Sequence, residues 1–291
     1  MNNHPTVIIT GSSGLVGSAL VSYFAQQGFH VRALQRVVPH SGDPRVSYYP
    51  FDLADVRDRG FEGADYIIHC AYQPVVSLWE RLSGTSTDVE GTKKIISLAR
   101  KYDSKMIFLS TLSAHADAKS YYARQKLLAE KLFDAQKDLI LKLGIVIGRG
   151  GGLFGRIAKS LKNHKIVPLI GAGHQQTQII ALDDLCRIVA TGMQRNITGV
   201  FKISHPTAIT TKELYQKIAR SVDAHPFFVP VPWGFAYVCA RFAEHIGARL
   251  PFTAENILGL RDLRVFNTIG DLKVFGIRLK DCQESLDWYA R

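Results

Sequence analysis

Cysteine is scarce in this sequence, and no long apolar run or block of like charge stands out. The 291 residues contain four cysteines, and no two of them form a C-x-x-C pair. This usage suggests neither a disulfide framework nor a zinc site, and it fits a reducing compartment. The opening MNNHPTVIIT also lacks the basic region and apolar stretch of a signal peptide, so we expect a cytoplasmic protein.

The lack of an uninterrupted apolar stretch argues against an integral membrane segment. The longest apolar run of the C-terminal half, VPVPWGFAYVCARFAEHIGARL, is interrupted by Arg241, Glu244 and His245, which a spanning helix rarely carries. Its aromatic side chains are expected to form core or a lid, with an exposed surface for a partner or a membrane as the alternative. These aromatic residues are Trp233, Phe235, Tyr237 and Phe242.

The basic excess does not identify a partner. Lys and Arg number 36 against 25 Asp and Glu, a formal net charge of +11. The cations are scattered, however, and neither a basic helix nor an aromatic-interleaved motif accompanies them. We therefore expect a small-molecule substrate and no nucleic acid, and we leave a homodimer open as the assembly.

No metal site is predicted. Asp183 and Asp184 follow a strand and precede an apolar helix, so an acidic first turn explains them better than a metal-binding pair. His69 ends a strand, and a packed histidine near the cofactor explains it better than a catalytic imidazole.

Short apolar strands alternate with helical segments of about a dozen residues through the first half of the chain. The strands are TVIIT, HVRALQR, DYIIHCA, KMIFLST and LILKLGIVIG, and one long helix is YYARQKLLAEKLFDAQ. This alternation predicts an α/β fold with a doubly wound parallel (Rossmann) sheet. We expect an NAD(P)-binding domain over 1–150 and a smaller, mainly substrate-binding domain over 151–291, of which about 176–204 returns to the sheet.

A glycine-rich turn joins the first predicted strand to the first predicted helix. Gly11 permits the tight turn, Gly14 allows the backbone to approach a pyrophosphate, and Gly17 lets the helix pack on the strand. A dinucleotide is therefore predicted at the N-terminus of this helix. The alternative is a glycine-rich turn that binds nothing.

The end of the second strand indicates which dinucleotide binds. NAD-binding folds usually carry an acidic residue there for the adenine ribose, whereas this chain has the neutral Gln35 followed by Arg36. A guanidinium pairs with a 2′-phosphate, so NADP is favoured and NAD is less favoured. The alternative is that Arg36 is a solvated loop residue.

A tyrosine and a lysine lie four residues apart in the later predicted helix. Tyr122 and Lys126 therefore project from one helix face, where an ammonium can stabilise a phenolate and allow proton transfer near neutral pH. This spacing is common by chance. Its significance comes from the hydroxyl groups of Ser110, Thr111 and Ser113, which could hydrogen-bond a reacting oxygen.

Together these motifs resemble the short-chain dehydrogenase/reductase superfamily, in the extended or atypical branch that includes sugar-nucleotide epimerases and dehydratases. TGSSGLVG resembles its cofactor loop and STLSAH with YYARQK its Ser/Thr, Tyr, Lys set. The resemblance implies Tyr122 as acid/base, Lys126 as the residue that lowers its pKa and holds the nicotinamide ribose, and Thr111, with Ser113 as alternate, as the group that orients the substrate oxygen. It implies cofactor contacts from Gly11, Ser13, Gly14, Leu15, Val16, Gly17, Arg36, Asp52, Leu53, Ala71 and Lys126.

The resemblance implies an NADP-dependent oxidoreductase or epimerase that transfers a hydride to or from a secondary alcohol or ketone, with a sugar nucleotide among the candidate substrates. The region from HPFFVPVP to RDLRVFN is similar to members related to an accessory subunit of respiratory complex I. That similarity implies the alternative, a non-catalytic NADP-binding redox sensor or assembly factor. The chain also departs from the family pattern: Asp88 replaces an asparagine, Lys142 an arginine, and the segment from Thr111 to Tyr122 is short.

Overall fold

The computed structural model describes residues 5–39, 42–73, 86–148, 151–248 and 252–287. These residues form two compact units. The first unit comprises residues 1–110, 125–142 and 185–201, and the second comprises 111–124, 143–184 and 202–291.

Strands and helices alternate along much of the chain, as in other α/β proteins. They are β1 (Thr6–Thr10), α1 (Leu15–Gln26), β2 (His30–Gln35), β3 (Val46–Pro50), β4 (Tyr66–His69), α2 (Thr87–Lys101), β5 (Lys105–Thr111), α3 (Tyr121–Glu130), β6 (Leu139–Leu143), β7 (Ile145–Ile147), α4 (Gly152–Asn163), β8 (Ile166–Ile170), β9 (Gln176–Thr177), β10 (Ile179–Ala181), α5 (Leu182–Gln194), β11 (Gly199–Ile203), β12 (Ile209–Thr210), α6 (Thr211–Ser221), β13 (Phe227–Val231), α7 (Trp233–His245), α8 (Ala254–Arg261), α9 (Ile269–Phe275) and α10 (Cys282–Asp287).

The first unit is built on a seven-stranded sheet in the order β11-β6-β5-β4-β1-β2-β3. The interior strand β1 pairs in parallel with β2 and β4, so that Ile9 lies beside Ala33 on one side and Ile68 on the other. Both faces of β1 are buried, as the unbroken apolar sequence of this strand requires. The order reverses between β1 and β4, which confirms the doubly wound sheet and marks where such folds bind nucleotides.

The helix predicted over residues 121–136 is wrong in its second half, because α3 ends at Glu130. The chain turns there so that Phe133 enters the core and stacks on Phe108, with ring centroids 4.6 Å apart. The carboxylate of Asp138 accepts a hydrogen bond from the backbone of Asp134 and holds the turn. Burial of the aromatic pair therefore outweighs helix propensity at this point.

The single strand predicted over LILKLGIVIG is also wrong, because the chain divides it at Gly144. Residues 139–143 form β6 of the large sheet, whereas residues 145–147 form β7 and pair with β10. A side chain at Gly144 would place its Cβ 2.5 Å from the carbonyl oxygen of Gln178 and 2.8 Å from Cβ of Ser204. Close approach of these segments therefore requires glycine here.

The second unit contains three small strand pairs and several short helices. The pairs are β7 with β10, β8 with β13, and β9 with β12.

Asp183 and Asp184 lie in the first turn of α5, as predicted. Helix α7 packs through alanines, and Trp233 and Tyr237 pack against this cluster, as the expectation of core requires. Phe235 and Phe242 are 66% and 65% exposed, so these two do not form core, and a lid or a partner surface stays a prediction for them. In the part of the chain described, no helix has the length and apolar character needed to cross a membrane.

Replacing Gly144 with alanine should destabilise the protein by about 1–3 kcal/mol, because the added methyl group overpacks a backbone crossing that cannot relax freely. Gly155→Ala is the matched control, since Gly155 lies inside α4 and a Cβ there meets no atom within 4 Å. The control should be neutral or stabilise by up to about 1 kcal/mol. Urea unfolding of both variants measures the difference, and equal stabilities would disprove the crowding at Gly144.

Candidate active site

The glycine turn between β1 and α1 brings the ends of β1 and β4 into close contact. Gly11 has φ of 67°, and a Cβ on it would lie 2.7 Å from Cα of Ala71. A Cβ on Gly17 would collide with the carbonyl oxygen of Gly11. Gly14 is the N-cap of α1, and its N–H donates to the Gly11 carbonyl at 3.0 Å. Gly11 and Gly17 thus serve the tight turn and the close helix packing that their spacing predicts, while the approach of a pyrophosphate to Gly14 stays a prediction.

The start of α1 is suited to a negatively charged ligand. No side chain caps Gly14, and the first turn of the helix contains no acidic residue. Ser13 is exposed, and Leu15 and Val16 are half-buried. The N–H groups and the dipole of this helix end therefore present positive charge that no protein carboxylate of the first turn neutralises.

The side chain of Gln35 connects the glycine turn to the loop after β2. Its Oε1 accepts a hydrogen bond from Ser12 Oγ at 2.8 Å, and its Nε2 donates to the carbonyl of Val37 at 2.9 Å. Gln35 is thus held at the place where NAD-binding folds usually carry a carboxylate. The next residue, Arg36, is exposed.

Two further candidates follow β3. Asp52 is exposed, and its carboxylate accepts the N–H of Ala54 at 2.9 Å, which fixes the turn. Leu53 is buried against α2, where a Cβ on Gly91 would lie 2.5 Å from the Leu53 carbonyl oxygen. Packing against a glycine thus places this pair beside the helix that follows β4.

His69 joins β1, β4 and α2 through two threonines. Its Nδ1 lies 2.8 Å from Thr10 Oγ1, and its Nε2 lies 2.9 Å from Thr92 Oγ1. Thr92 donates its hydroxyl proton to the carbonyl of Asp88 at 2.6 Å, so it accepts from Nε2–H, and Nδ1 accepts from Thr10. The imidazole is therefore neutral and structural, which agrees with the expectation of a packed histidine.

Burial is the main reason that the pKa of His69 falls to about 3, and the positive charge of Lys126 lowers it further. Thr10 Oγ1 also accepts the N–H of Ala71 at 3.3 Å. The network thus holds Ala71 against the glycine turn.

Lys126 is the buried cation of the site. It is 7% exposed, and its Nζ donates to the carbonyl of Leu109 at 3.0 Å and lies 4.6 Å from the ring centroid of Phe108. Burial lowers the pKa of Lys126, while the carboxylates of Asp88 and Glu130 act in the opposite direction. The ammonium can be retained in this setting because hydrogen bonding, ring contact and nearby acidic groups offset its desolvation.

Tyr122 lies one helical turn before Lys126 on α3 and is 37% exposed. Thr111 ends β5, and its Oγ1 accepts the N–H of Ser113 at 3.2 Å, which leaves the hydroxyl proton available for donation. Ser113 is buried. The hydroxyl of Ser110 donates to Glu130, so this serine is used within the fold.

Sequence reasoning missed the buried polar groups around Lys126. Asp88 and Gln125 line the same small cavity as Lys126. Asp88 accepts the N–H of Gln73 at 2.8 Å, and Gln125 Oε1 is a buried acceptor without a hydrogen-bond partner among the described residues. Glu130 also binds Lys142 at 2.6 Å. The one sequence signal was the replacement of family residues at Asp88 and Lys142.

These groups fit an NAD(P) cofactor. The turn from Gly11 to Gly17 and the uncapped start of α1 suit a pyrophosphate. The Lys126 ammonium and the unpartnered Gln125 oxygen, a donor and an acceptor, suit the hydroxyl groups of a ribose. The glycine turn and the groups around Lys126 therefore suit the charged and hydroxyl groups of a dinucleotide.

Comparison with known proteins identifies the family of the chain. The model of the NAD dependent epimerase/dehydratase family matches residues 7–203, more than half of the chain. Among similar curated proteins, the ceramide reductase of Caulobacter vibrioides is 27% identical over 239 residues, covering 78% of this chain and 73% of that protein. The epimerase family protein SDR39U1 of Homo sapiens is 22% identical over 253 residues, with coverage of 78% and 83%.

Solved structures share the fold. Human SDR39U1 (isoform 2) with NADPH superposes with a TM-score of 0.75 at 17% identity, covering 98% of this chain and 99% of that chain. The NAD dependent NDP-hexosamine 5,6-dehydratase TunA superposes with a TM-score of 0.73 at 15% identity, with coverage of 98% and 96%. MoeE5 in complex with UDP-glucuronic acid and NAD gives 0.72 at 18% identity, with coverage of 97% and 96%.

The pKa of His69 makes stability depend on pH. In the unfolded chain His69 is protonated below about pH 6.5, whereas in the folded protein it stays neutral down to about pH 3. The unfolded state therefore binds more protons between these two pH values, and the protein loses stability as the pH falls through this window. From pH 7 to pH 5, wild type should lose about 2 kcal/mol more than His69→Gln. Urea unfolding at both pH values measures this, with the exposed His225→Gln as a control that keeps the wild-type loss. An equal loss in His69→Gln would show that His69 titrates normally.

Proposed function

Because the chain belongs to the NAD dependent epimerase/dehydratase family, we propose that it is an NADP-dependent enzyme that transfers a hydride to or from a secondary alcohol or ketone. The observation that carries this proposal is the buried ammonium of Lys126, one helical turn after the half-exposed phenol of Tyr122. A buried cation one helical turn from a tyrosine is costly to a fold and useful to proton transfer.

We assign cofactor binding to residues 1–150 and mainly substrate binding to residues 151–291. The turn from Gly11 to Gly17, with Ser13, Leu15 and Val16, would hold the pyrophosphate. Asp52 and Leu53 would contact the adenine, Ala71 would lie along the cofactor, and Lys126 would bind the nicotinamide ribose. The bound cofactor supplies the site at which a hydride is accepted or released.

The acid/base chemistry falls to Tyr122. Its phenolate oxygen would receive the proton of a substrate alcohol during oxidation, and its hydroxyl would return a proton to the substrate oxygen during reduction. Lys126 would stabilise the phenolate form and so bring the pKa of Tyr122 toward neutrality. Thr111, whose hydroxyl proton is available, would hydrogen-bond the reacting oxygen, with Ser113 as the alternate.

The choice of NADP rests on the loop after β2. Gln35 places no negative charge there, and the exposed Arg36 can pair with a 2′-phosphate. The NADPH complex of human SDR39U1 supports this choice, whereas MoeE5 was solved with NAD.

The substrate class is open between an NDP-sugar and a less polar ketone. TunA and MoeE5 support a sugar nucleotide, and the relative named ceramide reductase supports a lipid ketone. A panel of NDP-sugars, long-chain ketones and small ketones with NADPH and NADP⁺ separates them. If wild type turned over none of these yet bound NADPH, the non-catalytic redox sensor or assembly factor would become the preferred function.

Replacing Arg36 with glutamate should weaken NADPH binding at least about tenfold and leave NADH binding within about twofold, because a charge-assisted phosphate contact becomes a repulsion. Titration of both nucleotides by calorimetry measures the two affinities. Lys137→Glu makes the same charge change just before β6, at the opposite end of the parallel strands, and should have little effect. Equal losses for the two nucleotides would remove Arg36 from the phosphate site.

Tyr122→Phe should lower kcat by about 10²-fold or more and leave the Kd for NADPH nearly unchanged, since only the titratable oxygen is removed. Lys126→Met should reduce both kcat and NADPH affinity, because the ammonium has two roles. Tyr102→Phe, at the C-terminal end of α2, is the control for loss of a tyrosine hydroxyl and should retain full rate. Full turnover by Tyr122→Phe would show that the chemistry lies elsewhere.

A further inference from the structure

The N-terminus of α3 is held by two carboxylates from the α8 region, by which we mean residues 254–264. The N–H of Lys119 donates to Asp262 Oδ1 at 2.9 Å, and the N–H of Ser120 donates to Asp262 Oδ2 at 2.7 Å. The N–H of Tyr121 donates to both oxygens of Glu255 at 2.9 Å. Three consecutive backbone donors are therefore satisfied by residues more than 130 positions further along the chain.

Carboxylates are well suited to this position. A helix leaves its first N–H groups without intrahelical partners, and its dipole attracts negative charge to them. Ser120 Oγ accepts the N–H of Ala123 at 3.4 Å and acts as the local cap. Asp262 is 3% exposed and has no ion-pair partner in the described part of the chain, so backbone N–H groups alone compensate for its burial. A buried charge kept for such contacts fixes geometry more than it adds stability.

The same segment also holds the short loop between Thr111 and Tyr122. His115 Nε2 donates to the backbone carbonyl of Asp262 at 2.9 Å, and Arg264 forms an ion pair with Asp117 at 2.8 Å. The part-buried His115 contact thus ties the loop to Asp262, whereas the Arg264–Asp117 pair is exposed and adds little to this attachment.

We propose that Asp262 and Glu255 are positioning residues for Tyr122, fixing the backbone from which its phenol is presented. Tyr122 directly follows Tyr121, whose N–H is held by Glu255. Its side chain is 37% exposed, so core packing constrains it less than it constrains Lys126 at 7%. The position of the phenol therefore also depends on where α3 begins. A shift of about 1 Å in a reacting group can cost 10²-fold in rate, so this start must be fixed.

The kinetic test, which rests on the proposed function, uses Asp262→Ala and the milder Glu255→Gln. We expect kcat to fall at least about tenfold in Asp262→Ala and less in Glu255→Gln, with KM and the Kd for NADPH within about twofold of wild type. Asp262→Glu should restore part of the rate. Arg264→Gln, which removes only the exposed pair with Asp117, should retain full rate. Parallel changes in kcat and KM, or no change in kcat, would overturn the positioning role.

A second measurement needs no turnover and separates this proposal from the proposed function. With 3-fluorotyrosine incorporated, the ¹⁹F resonance of Tyr122, assigned by its loss in Tyr122→Phe, should be single in wild type and Arg264→Gln. It should broaden or split in Asp262→Ala and Glu255→Gln, and the amides of residues 119–121 should exchange at least about tenfold faster. An unchanged Tyr122 resonance would overturn the proposal even if wild type proved inactive. If Asp262→Ala does not fold, Glu255→Gln decides by the same two readouts.

Discussion

The cofactor end of the sheet depends on the hydrogen-bonded chain from Thr10 through His69 to Thr92. This chain joins the last residue of β1, the last residue of β4 and the second turn of α2. Because Thr10 also holds the N–H of Ala71, it sets how closely β4 continues past Gly11, where no side chain could fit. The geometry of the glycine turn thus depends on the buried polar side chains of Thr10, His69 and Thr92, for which no ligand contact is required.

Buried charge recurs around α3, and each instance is compensated differently. Lys126 relies on a carbonyl, an aromatic ring and nearby acidic groups. Glu130 relies on Lys142 and a serine hydroxyl. Asp262 relies on backbone N–H groups. Such charges stabilise a fold weakly but permit few alternative arrangements, because any displacement leaves one of them unpaired in a low dielectric. Helix α3 is therefore specified more narrowly than its short length and modest apolar content suggest.

Local patterns predicted much of this architecture. The glycine spacing, the strand and helix alternation and the Tyr122–Lys126 interval each concern residues close in sequence, where periodicity and turn chemistry are informative. The errors arose where distant residues decide. Gly144 divides an apolar strand because Gln178 and Ser204 approach it, and α3 stops at Glu130 because Phe133 stacks on Phe108. Nothing near Tyr121 indicates that Glu255 and Asp262 meet it, since an acidic residue on a distant helix has no local signature.

The distance along the chain between α3 and its capping carboxylates has a consequence for biosynthesis. Residues 121–130 leave the ribosome well before residues 255–262 have been added, an interval on the order of ten seconds at ordinary elongation rates. A helix of this length is marginal by itself, and during the interval its first N–H groups must rely on water. The segment that carries Tyr122 therefore reaches its final form among the last parts of the nascent chain, although it is encoded before the middle of the sequence.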